Sequence, residues 1–215
     1  MSKLHDYLKK YKDFFYDYGY SFNKSYFCRL KNDIAFCFEF SYNSLIYCNY
    51  YFVPLYIPSL YRYFTYGNRI EKLTNFSVKP LNPNNSFDSW MSDIINVAVN
   101  EIIPFFETVS SAEKLVSLIN FTDSPFDQFI ACSSYEKMIL HLYTSLYLGN
   151  IDDARVDCFE LEKILLRSRN RTWAESEIKK IVNIKSNILQ LNKNEISELM
   201  YKTIANTARL CGFKS

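Results

Sequence analysis

The stretch Ile34-Ala35-Phe36-Cys37-Phe38-Glu39-Phe40-Ser41-Tyr42 decides how this chain is read. Its apolar side chains recur every second residue, so Ile34, Phe36, Phe38, Phe40 and Tyr42 fall on one face of a strand. Ala35, Cys37, Glu39 and Ser41 fall on the other. Upstream, Lys24 to Leu30 can pair with it through a turn at Lys31, Asn32 and Asp33. Downstream, Asn43 and Ser44 can turn the chain into a third strand over Leu45 to Val53. Strands joined by such short turns make an antiparallel meander.

Working outward, the period changes. From Lys3 to Tyr18 the residues Leu4, Tyr7, Leu8, Tyr11, Phe14, Phe15 and Tyr18 recur at helical spacing, and Gly19 supplies a left-handed stop. From residue 54, Pro54, Pro58, Gly67, Pro80 and Pro83 punctuate an irregular stretch in which Asn75 to Lys79 reads as one more strand. Beyond Ser86 nearly everything reads as helix, over 87–106, 111–120, 125–132, 134–148, 151–168, 173–191 and 195–210. Capping boxes are expected at Ser110 with Glu113, Ser133 with Glu136, and Thr172 with Glu175. Ser124 followed by Pro125 marks a further start. Leu146 to Leu165, with Leu148, Gly149, Asn150 and Ala154, resembles the middle of a tetratricopeptide-type hairpin. It does not recur at a fixed period and is read as a single hairpin. The expected fold class is α+β: an N-terminal helix, a meander of 3–4 strands (counting Asn75 to Lys79), then a mainly helical half. One domain is expected over 1–215, with 134–215 as a possible sub-lobe.

Of 38 aromatic residues, 23 fall in the first 66 positions. Those of the strand face are expected in the core. Tyr56, Tyr61, Arg62, Tyr63, Tyr66 and Arg69 lack a period and lie in the proline-punctuated loop, which makes them candidates for a contact surface. Charge is segregated: residues 1–85 carry 11 basic and 6 acidic side chains, residues 86–166 carry 4 and 13, and residues 167–215 carry 10 and 4. Asp152, Asp153 and Asp157, near the start of one helix, are the candidate acidic contacts of the middle block, where a field of one sign would attract a basic partner.

Catalytic vocabulary is thin. His5 and His141 are the two histidines, on different helices, and His141 lies among apolar residues as a structural histidine would. The glycines, at 19, 67, 149 and 212, make neither a P-loop nor a dinucleotide fingerprint. Six cysteines at 28, 37, 48, 132, 158 and 211 form no C-x-x-C pair and no zinc-ligand spacing, so reduced buried thiols are expected and no metal or cofactor is. Arg167, Arg169 and Arg171 could contact phosphate. They sit where a helix ends, however, and overall charge is nearly balanced, so nucleic acid is disfavoured as a partner. Neither a signal peptide nor a membrane span is read, which leads to a cytoplasmic expectation.

The amphipathic helix, then Gly19, Tyr20, Phe22 and Lys24 leading into the meander, then Trp90 and Ile103-Pro104-Phe105-Phe106 on a long helix, resembles small uncharacterised bacterial α+β proteins. Several such families are associated with immunity to polymorphic or contact-dependent toxins. The resemblance spans roughly residues 1 to 120. It implies a non-enzymatic protein that binds a toxin domain, with oligomeric state open. The alternatives are a regulatory or scaffold module binding protein or nucleic acid, and an enzyme with an unfamiliar site.

Overall fold

A computed structural model describes residues 2–59, 66–73, 78–119, 125–167 and 172–213. Two short helices, α1 (Ser2–Lys9) and α2 (Lys12–Asp17), precede five strands, β1 (Ser21–Asn23), β2 (Tyr26–Lys31), β3 (Ile34–Asn43), β4 (Leu45–Pro54) and β5 (Tyr66–Arg69). The strands form one antiparallel sheet in sequence order, a pure meander. Helices follow: α3 (Phe87–Val97), α4 (Ile103–Thr108), α5 (Ala112–Ile119), α6 (Pro125–Phe129), α7 (Ser134–Leu148), α8 (Ile151–Arg167), α9 (Thr172–Asn183) and α10 (Lys193–Cys211).

The register of the β2–β3 hairpin pairs Lys31 with Ile34, leaving Asn32 and Asp33 as the two-residue loop. Both have positive φ, 50° and 61°, as a primed turn between right-twisted strands requires. On the first face Phe36, Phe38 and Phe40 join Phe27, Tyr50 and Phe52 in the main core. Helices cover that face: Phe15 of α2 stacks on Phe27 at 4.0 Å, Phe106 of α4 approaches Phe36 at 4.9 Å, and Trp90 of α3 meets Phe40 at 6.0 Å. Tyr42 has the expected parity but stands exposed at the strand's end, beyond the core.

The second face is also buried. Tyr26, Cys28, Ala35, Cys37, Tyr51 and Val53 form a smaller core closed by Cys211 and Phe213, with Ile204 and Ala208 of α10 packed against it. The sheet is therefore sandwiched, and β3 is buried on both sides from Ile34 to Phe38. None of the six cysteines is in a disulfide, and Cys132 alone is only partly buried.

Several sequence expectations change. The N-terminal helix breaks at Lys10, where Tyr11 N–H bonds the Leu8 carbonyl three residues back. The Tyr11 hydroxyl donates to Asp88 at 2.7 Å and Tyr7 stacks on Phe87 at 4.9 Å, so contacts with α3 override a continuous helical period. The expected helix over 87–106 contains a π-helical turn at Ala98–Ile102, upstream of Pro104, which has no N–H to offer the preceding turn. At α5 the cap is Ser111, whose hydroxyl accepts from Lys114 N, while the Ser110 hydroxyl donates to the Glu107 carbonyl. The Ser133–Glu136 capping box forms as expected. Thr172 lies within the first turn of α9 rather than before it. A capping box that the sequence reading missed, Asn192 with Glu195, starts α10. Val78 and Lys79 are not strand, and residues 75–77 of the expected strand lie outside the described residues.

The added strand β5 comes from the stretch read as loop. Gly67 makes it possible: a Cβ there would sit 2.1 Å from the Tyr50 carbonyl oxygen and 2.4 Å from the Tyr51 Cβ. Only glycine lets β5 approach β4 this closely.

Candidate functional site

Three places collect chemistry or exposed apolar surface, and the residues singled out from the sequence distribute among them unevenly. Tyr56 and Tyr66 belong to the core rather than to an outer surface. Tyr56 is fully buried, stacks on Tyr147 at 4.5 Å and shares a 3.2 Å hydrogen bond with the Thr144 hydroxyl. Burial pushes its phenol up, well away from titration at neutral pH. Tyr66 stacks on Phe52 at 5.5 Å and donates to the Glu136 carbonyl at 3.3 Å. Arg69 is half-buried, its guanidinium over the Tyr47 ring at 4.5 Å. Tyr61, Arg62 and Tyr63 lie outside the described residues.

The first place is an open cleft of about 580 Å³ between the end of β4, α7, α9 and α10. Its walls are mainly apolar: Pro54, Ile57 and Pro58 on one side, Ile139 and Leu210 on the others. Ser59 and Tyr66, which flank residues 60–65, both line it. Its charged groups are already engaged. Glu136 accepts from Ser133 N at 2.6 Å in the cap of α7, and Glu177 accepts from the Tyr135 hydroxyl at 2.7 Å and from Lys180 at 2.6 Å. The cleft thus offers shape and apolar area, the properties of a recess that takes a side chain from a partner.

The second place is a smaller recess of about 280 Å³ lined by Ile119, Ser134, Lys137, Met138, His141 and Asp157. Here α7 and α8 are tied by His141 Nδ1 and Asp157 Oδ2 at 2.6 Å, with only 13% of each side chain exposed. The Asp157 hydrogen bond raises the His141 pKa despite the opposing effect of burial. An ionised carboxylate accepts only, so Nδ1 carries the proton and donates. Lys137 pairs with Asp127 and Ser134 starts the helix two turns before His141, about 10 Å along the axis. That spacing keeps the Ser134 hydroxyl out of hydrogen-bonding reach of the imidazole, and the pair reads as a clamp between two helices. Asp157 is therefore turned inward, away from the acidic surface expected of it.

The third place is the outer face of α8. Asp152 is 94% exposed beside Arg155 at 2.8 Å, and Asp153 is exposed next to it. Arg167 is exposed at the helix's other end, while Arg169 and Arg171 lie outside the described residues. The hairpin itself matches its reading: Gly149, at φ 75°, ends α7, and α8 begins at Ile151. The cleft could not be found from sequence, because its walls come from five separated segments with no shared local pattern.

Among the described residues, no group of three or more His, Cys, Asp or Glu side chains converges as a metal site, and no helix is long and apolar enough to cross a membrane. No protein-family model matches the chain, and neither does any curated protein or solved structure.

Proposed function

We propose that this chain is a non-catalytic protein-binding module of the toxin-immunity type, acting in the bacterial cytoplasm by stoichiometric capture of a toxin domain. The observation that carries the reading is the 580 Å³ cleft formed among the described residues, whose walls are mainly apolar and whose carboxylates are satisfied within the protein. A recess of this kind favours an aliphatic or aromatic anchor from a partner, the group that dominates protein interfaces. The acidic bias of residues 86–166 would speed the approach of a basic toxin domain, and burial in the cleft would set residence time.

The test is co-purification with the product of the adjacent gene, followed by titration of the purified pair. Binding at one-to-one stoichiometry is expected, with loss of the neighbour's toxicity on co-expression. Leu210→Glu, at the partly exposed cleft rim, is expected to weaken binding at least about tenfold, as loss of an interface anchor contact does. A neighbour that neither binds nor harms the cell, or an unchanged affinity for Leu210→Glu, would remove the support for this reading.

A further inference from the structure

Two of the cysteines face each other across the sheet. The register of β2 and β3 sets Cys28 directly opposite Cys37, and both side chains belong to the sheet's second core. The kind of pair they form follows from the ladder. Phe40 N–H donates to the Ser25 carbonyl at 2.8 Å, which makes 25/40 a hydrogen-bonded pair. Bonded and non-bonded pairs alternate along antiparallel strands, so 27/38 is bonded and 28/37 is the non-bonded pair beside it. In such a pair the Cα atoms stand about 4.5 Å apart and the side chains lean together. A disulfide needs Cα atoms roughly 4.4–6.8 Å apart, so the backbone already has the spacing of a bridge. Neither cysteine is in one. Cys48, the other strand cysteine, pairs with Phe40 and belongs to the core on the opposite face.

What separates the pair from solvent is the end of α10. Cys37 is fully buried, while Cys28 keeps 7% of its surface in the core that Cys211 and Phe213 close. This cover is a helix end laid on the sheet and not a further strand of it. Phe213 N–H bonds back to the Ala208 carbonyl at 2.9 Å, and the Tyr26 hydroxyl donates to the Gly212 carbonyl at a long 3.4 Å. Such a segment can lift by local opening while the strand ladder stays intact.

We infer that Cys28 and Cys37 form a redox modification site, a dithiol that a hydroperoxide converts to a cross-strand disulfide when the end of α10 lifts. With hydrogen peroxide, the Cys28 thiolate attacks one oxygen and the O–O bond breaks. The departing hydroxide takes up the thiol's proton as water, and Cys28 is left as a sulfenic acid. The Cys37 sulfur then attacks the Cys28 sulfur, the S–O bond breaks, and the second hydroxide leaves with the Cys37 proton. The two thiols together give up two electrons and two protons, and one peroxide becomes two waters. A thiol already in register intercepts the sulfenic acid before further oxidation, which keeps the modification reversible. Neither cysteine lines the 580 Å³ cleft, so the site stands independently of the proposed capture of a toxin.

The test treats the full chain in native buffer briefly with hydrogen peroxide, quenches it with catalase, then unfolds, alkylates and weighs it. Two fewer alkylated cysteines than in the untreated chain are expected, with fragmentation joining Cys28 to Cys37 and full recovery in dithiothreitol. Cys37→Ala removes the resolving thiol, and Cys28 should then gain two oxygens as a sulfinic acid that dithiothreitol does not reverse. Phe213→Ala weakens the cover, leaves both thiols in place, and should speed bridging at least about tenfold. No loss of alkylated cysteines after peroxide overturns the site. So does a link from Cys28 to any cysteine other than Cys37, or a Cys37→Ala chain that still forms a bridge within itself. An unchanged rate in Phe213→Ala overturns the gating by α10.

Discussion

The five-stranded sheet and α8 are both rich in apolar residues on opposite faces, and the fold treats them differently. The sheet is covered twice, by α2, α3 and α4 on its aromatic face and by α10 with Phe213 on the other. Helix α8 is covered once. The comparison shows that aromatic density does not by itself report exposure. Among the described residues the aromatic side chains of β3 and β4 are largely enclosed, while exposed apolar residues at helical spacing lie on an otherwise ordinary charged helix.

The sharpest way to break the comparison is in the sheet. Phe38 is fully buried, between Phe15, Tyr20 and Phe106. Phe38→Ala should lower unfolding free energy by about 4 kcal/mol, measured by urea denaturation. A loss under about 1 kcal/mol would mean that this face is not packed as described.

An intermediate effect is expected at the clamp holding α8 against α7. His141 is raised in the folded state, so its contribution is fully present below the unfolded histidine pKa, about 6.5, and disappears as pH rises through the folded value. Asp157→Asn should therefore cost about 2 kcal/mol near pH 6, where a charge-assisted hydrogen bond is lost, and clearly less near pH 9. Paired denaturation curves at the two pH values check this. A deficit growing toward pH 9 would contradict the sign.

The smallest effect belongs to the exposed stripe. Phe159→Ala in dilute protein should change stability by no more than about 0.5 kcal/mol, because the side chain is largely solvated before and after. Thermal melts of the variant and the parent chain in dilute protein check this. A large loss would show that Phe159 packs against the fold rather than standing in solvent.

Most of the sheet was legible because its signals are local. The alternation in β3 reports a pleat, and Lys31, Asn32 and Asp33 report a turn, which the structure resolves as a two-residue primed turn at Asn32 and Asp33. The Ser133–Glu136 box reports a helix start in four residues. What escaped was decided at long range. β5 was hidden because Gly67 reads as a breaker in isolation and becomes a strand residue only against the Tyr50 carbonyl. Tyr56 and Tyr66 looked available because nothing near them in sequence reveals Thr144, Tyr147 and Phe52, which enclose them. Asp157 looked like surface charge because its partner, His141, sits 16 positions away on another helix. The second stripe of α8 was visible in principle, since Val156, Phe159 and Leu166 follow helical spacing beside the buried set. It was masked because the acidic residues between them suggested a merely solvated face.

The closure of the sheet's second face by Cys211 and Phe213 has a consequence in time. The Tyr26 hydroxyl reaches the Gly212 carbonyl across 186 positions. During synthesis at about 5–20 residues per second, β2 waits roughly 10–40 s for the segment that covers it. Throughout that interval Tyr26, Cys28, Cys37 and Tyr51 lack their lid, and three strands of the sheet present an oily, thiol-bearing surface to the cell. The nascent chain is thus most vulnerable to chaperone capture, oxidation and aggregation at the face that is sealed last.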